Sequence, residues 1–202
     1  TTEIYTLSLH DALPILARSA RRAPRSPLRL LYLGRIAEWK APHIALAGMQ
    51  ALRAAGVDCT LTVAGEALFG ESGYRDRLAR EAASVGGVKL LGHVEDVARV
   101  LDEHDLLLHC SLRPEPFGQV ICQAMAHGVP VVATDQGGPR ELLAQGGGLL
   151  YEPGKVEALV EAVGRVLASY EELSLEALDA SRSHTDELLA EHLDRILSQW
   201  LS

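Results

Sequence analysis

The sequence is short of positive charge, cysteine, aromatic residues and long apolar runs, and each shortage excludes a class of function. Against 27 Asp and Glu stand only 19 Lys and Arg, a formal net charge of −8. Phosphate-backbone binding needs a basic face, so a general affinity for nucleic acid is excluded. The three cysteines, Cys59, Cys110 and Cys122, lie far apart and form no Cys-x-x-Cys pair. They suit neither a disulfide framework nor a zinc site, and reduced, buried thiols in a cytoplasmic protein are expected. No metal site is expected either: His104, His109 and His127 read as structural or exposed residues rather than ligands. No transmembrane segment is expected, since no apolar run approaches the roughly 20 residues of a spanning helix, and nothing has the pattern of a secretory signal. Aromatic residues make up 4% of the chain, yet 48% of its 202 residues are hydrophobic, enough for one or two domains with a true core.

Residues 1–15 resemble the in-frame translation of a sequencing adapter, so the natural sequence is expected to start near Leu16 with its upstream part lost. Residues 16–27, with Arg18, Arg21, Arg22 and Arg25 among small residues and prolines, read as a solvated linker. From Leu28 to the C-terminus the chain reads as one domain, in which short apolar runs alternate with longer helical patterns. Strands are predicted over 28–33, 59–64, 88–91, 105–110, 129–134 and 148–151. Helices are predicted over 42–55, 74–85, 96–103, 118–127, 139–144 and 156–169. The strands are apolar throughout rather than alternating, which predicts burial on both faces. The fold class is therefore α/β, a doubly wound parallel sheet covered by helices on both sides. Two further helices, 173–181 and 186–201, would pack across the sheet or turn toward a neighbouring unit.

In such a sheet, ligands bind beyond the carboxyl ends of the strands where the strand order reverses, between strands one and four for the usual order. The segments leaving those strands are Gly34-Arg35-Ile36-Ala37-Glu38-Trp39-Lys40 and Ser111-Leu112-Arg113-Pro114-Glu115-Pro116-Phe117-Gly118. The first lacks the Gly-x-Gly-x-x-Gly fingerprint, which argues against a conventionally held nicotinamide or flavin cofactor. It offers Arg35 and Lys40 instead, a forked cation and a point charge suited to a diphosphate. Gly118 opens a helix whose free N–H groups add a second anion site. Glu115 would repel a phosphate, so its place there suits the hydroxyls of a sugar, although a helix-start carboxylate without a ligand has the same signature. Along that helix Gln119, Gln123 and His127 form a polar line, with Gln123 toward the ligand and His127 in water. A glycine-rich turn, Asp135-Gln136-Gly137-Gly138, follows strand five and brings more backbone N–H groups near.

These residues resemble the retaining glycosyltransferases known as glycosyl transferases group 1, which have the GT-B fold of two Rossmann-like domains. The similarity runs from about Leu28 onward through GRIAEWK, VAGE at 63–66, LLGHVED at 90–96 and, most specifically, PEPFGQVICQAMAHGVPVVATDQGGPREL at 114–142. It implies the C-terminal, donor-binding half of such an enzyme, separated from an N-terminal acceptor-binding domain. Arg35, Lys40 and Gly118 would hold the diphosphate, Glu115 would act on the donor sugar as the catalytic carboxylate, and Phe117, Gly118, Gln119 and Gln123 would border sugar and ribose. His93 and Val94 would lie near the base. The family's second glutamate, eight positions after the first, is Gln123 here, so a charged ribose acceptor is lost. Its glycine after the lysine is Ala41, which implies a changed loop path.

The implied reaction is sugar transfer from a nucleotide diphosphate sugar to an acceptor with retention, using no cofactor and no metal, in the cytoplasm or at a membrane surface reached through the other half. A nucleotide-sugar epimerase or phosphorylase of the same fold and a non-catalytic sugar-nucleotide-binding module are the alternatives.

Overall fold

The computed structural model of the chain describes residues 23–68 and 70–182. The adapter-like segment, most of the linker and the helix expected over 186–201 lie outside them. Six strands form one parallel sheet in the order β3-β2-β1-β4-β5-β6. They are β1 (Leu28–Leu33), β2 (Cys59–Ala64), β3 (Val88–Gly92), β4 (Leu106–His109), β5 (Val131–Thr134) and β6 (Gly148–Tyr151). The helices are α1 (Pro42–Ala54), α2 (Ser72–Val85), α3 (Val97–Asp102), α4 (Gln119–Ala126), α5 (Gly138–Leu142), α6 (Val156–Ala168) and α7 (Tyr170–Ser181). Short 3-10 turns at Glu38–Lys40 and Leu143–Gln145 complete the described residues. The order reverses between β1 and β4, which pair through Leu30 with Leu106 and Leu31 with Leu107.

Successive strand residues point to opposite faces, and both faces are covered. Leu28, Leu30 and Tyr32 of β1 join one buried cluster with Leu106 and Leu108 of β4, whereas Leu31 and Leu107 join a second cluster on the other side. This is why β1, β4 and β5 read as nearly unbroken apolar runs, whereas β2 alternates through the half-buried Thr60 and Thr62, and the edge strand β3, expected to be buried, leaves Lys89 and Leu90 exposed because no strand lies beyond it. The first face is roofed by α1, whose Ala45, Leu46, Met49 and Leu52 recur at helical spacing, and by α6 through Leu159, Val163 and Val166. The second is roofed by α4 through Ile121, Ala124 and Met125, with α3 and α5 beside it. The predicted helix over 173–181 is the greater part of α7, and it packs across the sheet. Its Leu173 lies in the first cluster and its Ala177 and Ala180 in the second. Tyr170 donates its hydroxyl to the Asp105 carbonyl at 2.8 Å, and Ser174 Oγ to the Gly128 carbonyl at 2.7 Å. Leucines at under 2% exposure, such as Leu30, Leu52 and Leu61, each stand to lose about 2–5 kcal/mol on truncation to alanine.

Candidate functional site

The loop leaving β1 is shaped by its own strand. The Tyr32 hydroxyl donates to the carbonyl of Arg35 at 3.0 Å and lies 3.5 Å from that of Lys40, folding 34–40 back over the strand end. Trp39 lies under both cations: Arg35 Cζ is 5.7 Å and Lys40 Nζ 4.8 Å from its ring centroid. Cation–π attraction therefore gathers two like charges in one place. Ala41 ends the turn at φ 52° and ψ 50°, with Pro42 opening α1. The expectation of a changed loop path meets an alanine held in a conformation that glycine adopts freely, at a cost of about 1–2 kcal/mol.

Glu115 is the hub on the opposite side of the reversal point. It is 8% exposed, and three groups converge on its Oε1. Lys40 Nζ is at 2.6 Å and His109 Nε2 at 2.8 Å, and Ser111 donates its hydroxyl to the same atom. No described residue bonds Oε2. Burial by itself would raise the pKa of this carboxyl. The hydrogen bond and charge of His109 and the ammonium of Lys40 outweigh it and hold the value at about 2. Glu115 is thus a fixed anion over the whole working range of pH. His109 is the last residue of β4, and its Nδ1 lies 3.3 Å from Thr134 Oγ1 at the end of β5. Gln136 closes the ring by donating its amide to the Ser111 carbonyl at 2.7 Å.

The glycine-rich turn after β5 lies against the Glu115 loop. Gly138 donates its N–H to the Glu115 carbonyl at 2.8 Å, and a Cβ at Gly137 or Gly138 would overlap the backbone of Glu115 or Phe117. Gly118 precedes α4 at φ 100° and ψ 48° with no side-chain cap; its own carbonyl accepts from Ile121 N–H at 2.9 Å, so no side-chain acceptor serves the N–H groups of the first turn. Phe117 is 49% exposed at this mouth. Gln119 is half-buried, and Gln123, one turn on, is buried.

Arg35, Lys40, Glu115 and Gly118 thus share one rim of the sheet. His93 and Val94 stand at the same end but follow β3, two strands from the reversal point. His93 is exposed, and Val94 is partly buried against the second cluster. His127, expected in water, is buried, with Nδ1 2.9 Å from Asp102 Oδ1, because the end of α3 lies over it. His104 is structural: its ring nitrogens lie 2.6 Å from the Val100 carbonyl and 2.7 Å from Thr62 Oγ1. Sequence reasoning missed His109, Ser111 and Thr134 as members of the site. The available signal was that all three lie at or just beyond strand ends on the ligand side of the sheet. A groove of about 210 Å³, lined by Glu38, His43, Tyr74, Arg77, Leu78 and Glu81, lies between α1 and α2 and shares none of its lining with the residues that bond Glu115. No described helix is long and apolar enough to cross a membrane.

Two cations, a buried carboxylate and a helix start without a side-chain cap around one crevice suit a ligand that is anionic at one end and rich in hydroxyls at the other. Residues 27–169 match the family described as Glycosyl transferases group 1. The chain is 33% identical over 152 residues to a glycogen synthase of Mycobacterium tuberculosis, covering 74% of this chain and 36% of that protein. It is 32% identical over 127 residues to the phosphatidyl-myo-inositol mannosyltransferase of Mycolicibacterium smegmatis, covering 61% of this chain and 31% of that protein. The structure of Anabaena HepE in complex with UDP-glucose superposes with a TM-score of 0.75 at 27% identity, over 96% of this chain and 52% of that one. The chain spans about a third of the length of these curated relatives and about half of the structural neighbour. With a match over most of its length and this crevice at the reversal point, the chain belongs to the glycosyl transferases group 1 family.

Proposed function

We propose that this chain is the donor-binding half of a glycosyltransferase that moves a sugar from a nucleotide diphosphate sugar to an acceptor with retention, the acceptor being held by an N-terminal domain of the full protein. The observation that carries this reading is the Lys40–Glu115 pair, 2.6 Å apart across the reversal point, beside the uncapped start of α4. Arg35, Lys40 and the N–H groups after Gly118 hold the diphosphate and stabilise the charge that develops on it as it leaves. That stabilisation requires no metal. Glu115 receives hydroxyls of the sugar, with Phe117 and Gln119 bordering it. Gln123 meets the ribose, and His93 and Val94 border the base. Support comes from HepE, whose structures are described with UDP, glucose and UDP-glucose.

The test is a thermal-shift titration of the chain with the uridine, guanosine and adenosine diphosphates and their glucose conjugates. A ligand present at 100 times its dissociation constant stabilises by about 2.7 kcal/mol, so the cognate base stands out as a rise in melting temperature. No rise with any of them, or an equal rise with inorganic pyrophosphate, overturns the reading. Because the acceptor side lies elsewhere, the chain alone should bind donor without turning it over. Transfer by these 202 residues, followed by product chromatography, would contradict the division into halves.

A further inference from the structure

We infer that His109 is a positioning residue for the donor sugar: it keeps the Glu115 carboxylate aimed when the diphosphate draws Lys40 away. The inference rests on the donor-site reading above and adds a residue and a division of labour to it.

Lys40 and His109 both hold Oε1 of Glu115. Only one of them is free to change partner. The Lys40 side chain is 21% exposed on a flexible stem, above the Trp39 ring, and a diphosphate entering this rim competes directly for its ammonium. Once Lys40 turns to the phosphates, a carboxylate with only 9% of its side chain exposed would, without His109, keep only the Ser111 hydroxyl, and a buried charge so poorly matched is costly. His109 cannot follow Lys40. Its backbone is in register with Ala133 of the neighbouring strand, its side chain is 5% exposed, and Thr134 Oγ1 engages the far side of its ring. It therefore remains on Oε1 in both states.

The consequence is directional. With His109 and Ser111 on Oε1, the oxygen left for a ligand hydroxyl is Oε2, which no described residue bonds. His109 acts on the sugar through Glu115 and touches neither diphosphate nor base, so it should govern the extra affinity that the sugar contributes more than the affinity for the nucleotide.

Calorimetric titration of the 202-residue chain with each nucleoside diphosphate and its glucose conjugate separates these effects. The wild type should bind the conjugate of its cognate base more tightly than the diphosphate alone. His109→Leu should erase that increment, weakening the conjugate by more than the diphosphate alone. His109→Gln, whose side-chain NH₂ reaches the place of Nε2–H, should restore most of it. If His109→Leu fails to fold, Thr134→Val, which keeps the shape and removes the bond to Nδ1, should reduce the increment in the same selective way. Equal weakening of both ligands in either variant, no change in either ligand, or a wild type that gains nothing from the sugar overturns the inference. A wild type that binds no nucleoside diphosphate at all fails at the earlier step and overturns the donor-site reading itself.

Discussion

The backbone N–H of Leu112 donates to the carbonyl oxygen of Trp39 at 2.7 Å, fastening the loop after β4 to the loop after β1. Each partner stands close in sequence to a charged group of the site: Lys40 follows Trp39 directly, and Glu115 lies three residues beyond Leu112. A main-chain bond, indifferent to side-chain identity, therefore brings an ammonium and a carboxylate to 2.6 Å. The pair is therefore set by the topology of the sheet and not by a local sequence pattern.

Acid should expose the cost of this arrangement. Although burial favours the neutral carboxyl, His109 and Lys40 hold Glu115 at about 2, below the ordinary value of 4.5. The folded chain then binds fewer protons than the unfolded one, so the stabilisation is complete above about pH 4.5 and is lost as pH falls toward 2. It amounts to roughly 3 kcal/mol at most. Glu115→Gln should flatten this acid limb in urea titrations between pH 2 and 6. Equal limbs for wild type and variant would show that the carboxylate is not held this way.

A second limb belongs to His104. Burial lowers its pKa below 6.5, against the opposing bond to the Val100 carbonyl. The unfolded chain therefore takes up a proton here before the folded chain does. The contribution is full above pH 6.5 and is lost as pH falls through the lower, folded value. His43 is lowered by burial as well and adds to the same slope. His104→Gln should thus reduce, without abolishing, the fall in melting temperature between pH 7 and 5.

The turn after β5 gives a steric test. A methyl group at Gly138 would overlap the Phe117 carbonyl, whereas one at Gly73 in α2 meets nothing within 4 Å. Gly138→Ala should cost about 1–3 kcal/mol by overpacking and weaken donor binding by displacing the Glu115 loop. Gly73→Ala should be neutral or stabilising by up to about 1 kcal/mol. Denaturant midpoints of the two variants give the comparison, and equal midpoints would remove the supporting role assigned to the turn.

Which parts of this site were legible beforehand follows from how each residue is placed. Arg35, Lys40, Glu115 and Gly118 lie in loops that leave β1 and β4, so once the strand order is known their meeting requires no knowledge of rotamers. The bond from His109 to Glu115 and the support from Thr134 depend on the register of β4 against β5 and on one ring orientation, which no local pattern encodes. His127 misled for a related reason. Helical spacing placed it with Gln119 and Gln123 on a polar face, but that face is covered at its C-terminal end by α3, whose Asp102 supplies a partner. Ala41 shows the opposite case, a residue poorly suited to its turn that the turn nevertheless holds at positive φ.

Gln123 allows ribose recognition and packing to be told apart at one atom. It is 8% exposed on α4, and exchanging its amide for a carboxylate changes charge with almost no change in shape. In the ligand-free chain Gln123→Glu buries a charge, or shifts its pKa upward to avoid doing so, so the melting temperature should fall by a few degrees at neutral pH. With a nucleoside diphosphate bound, ribose hydroxyls can donate to the new carboxylate, and such charge-assisted bonds are about twice as strong as the neutral ones they replace. The ligand-induced rise should therefore be larger in the variant than in the wild type, and larger for a ribonucleotide than for its 2′,3′-dideoxy analogue. A lower melting temperature with an unchanged ligand response would place residue 123 in the packing of α4 and outside the ribose site.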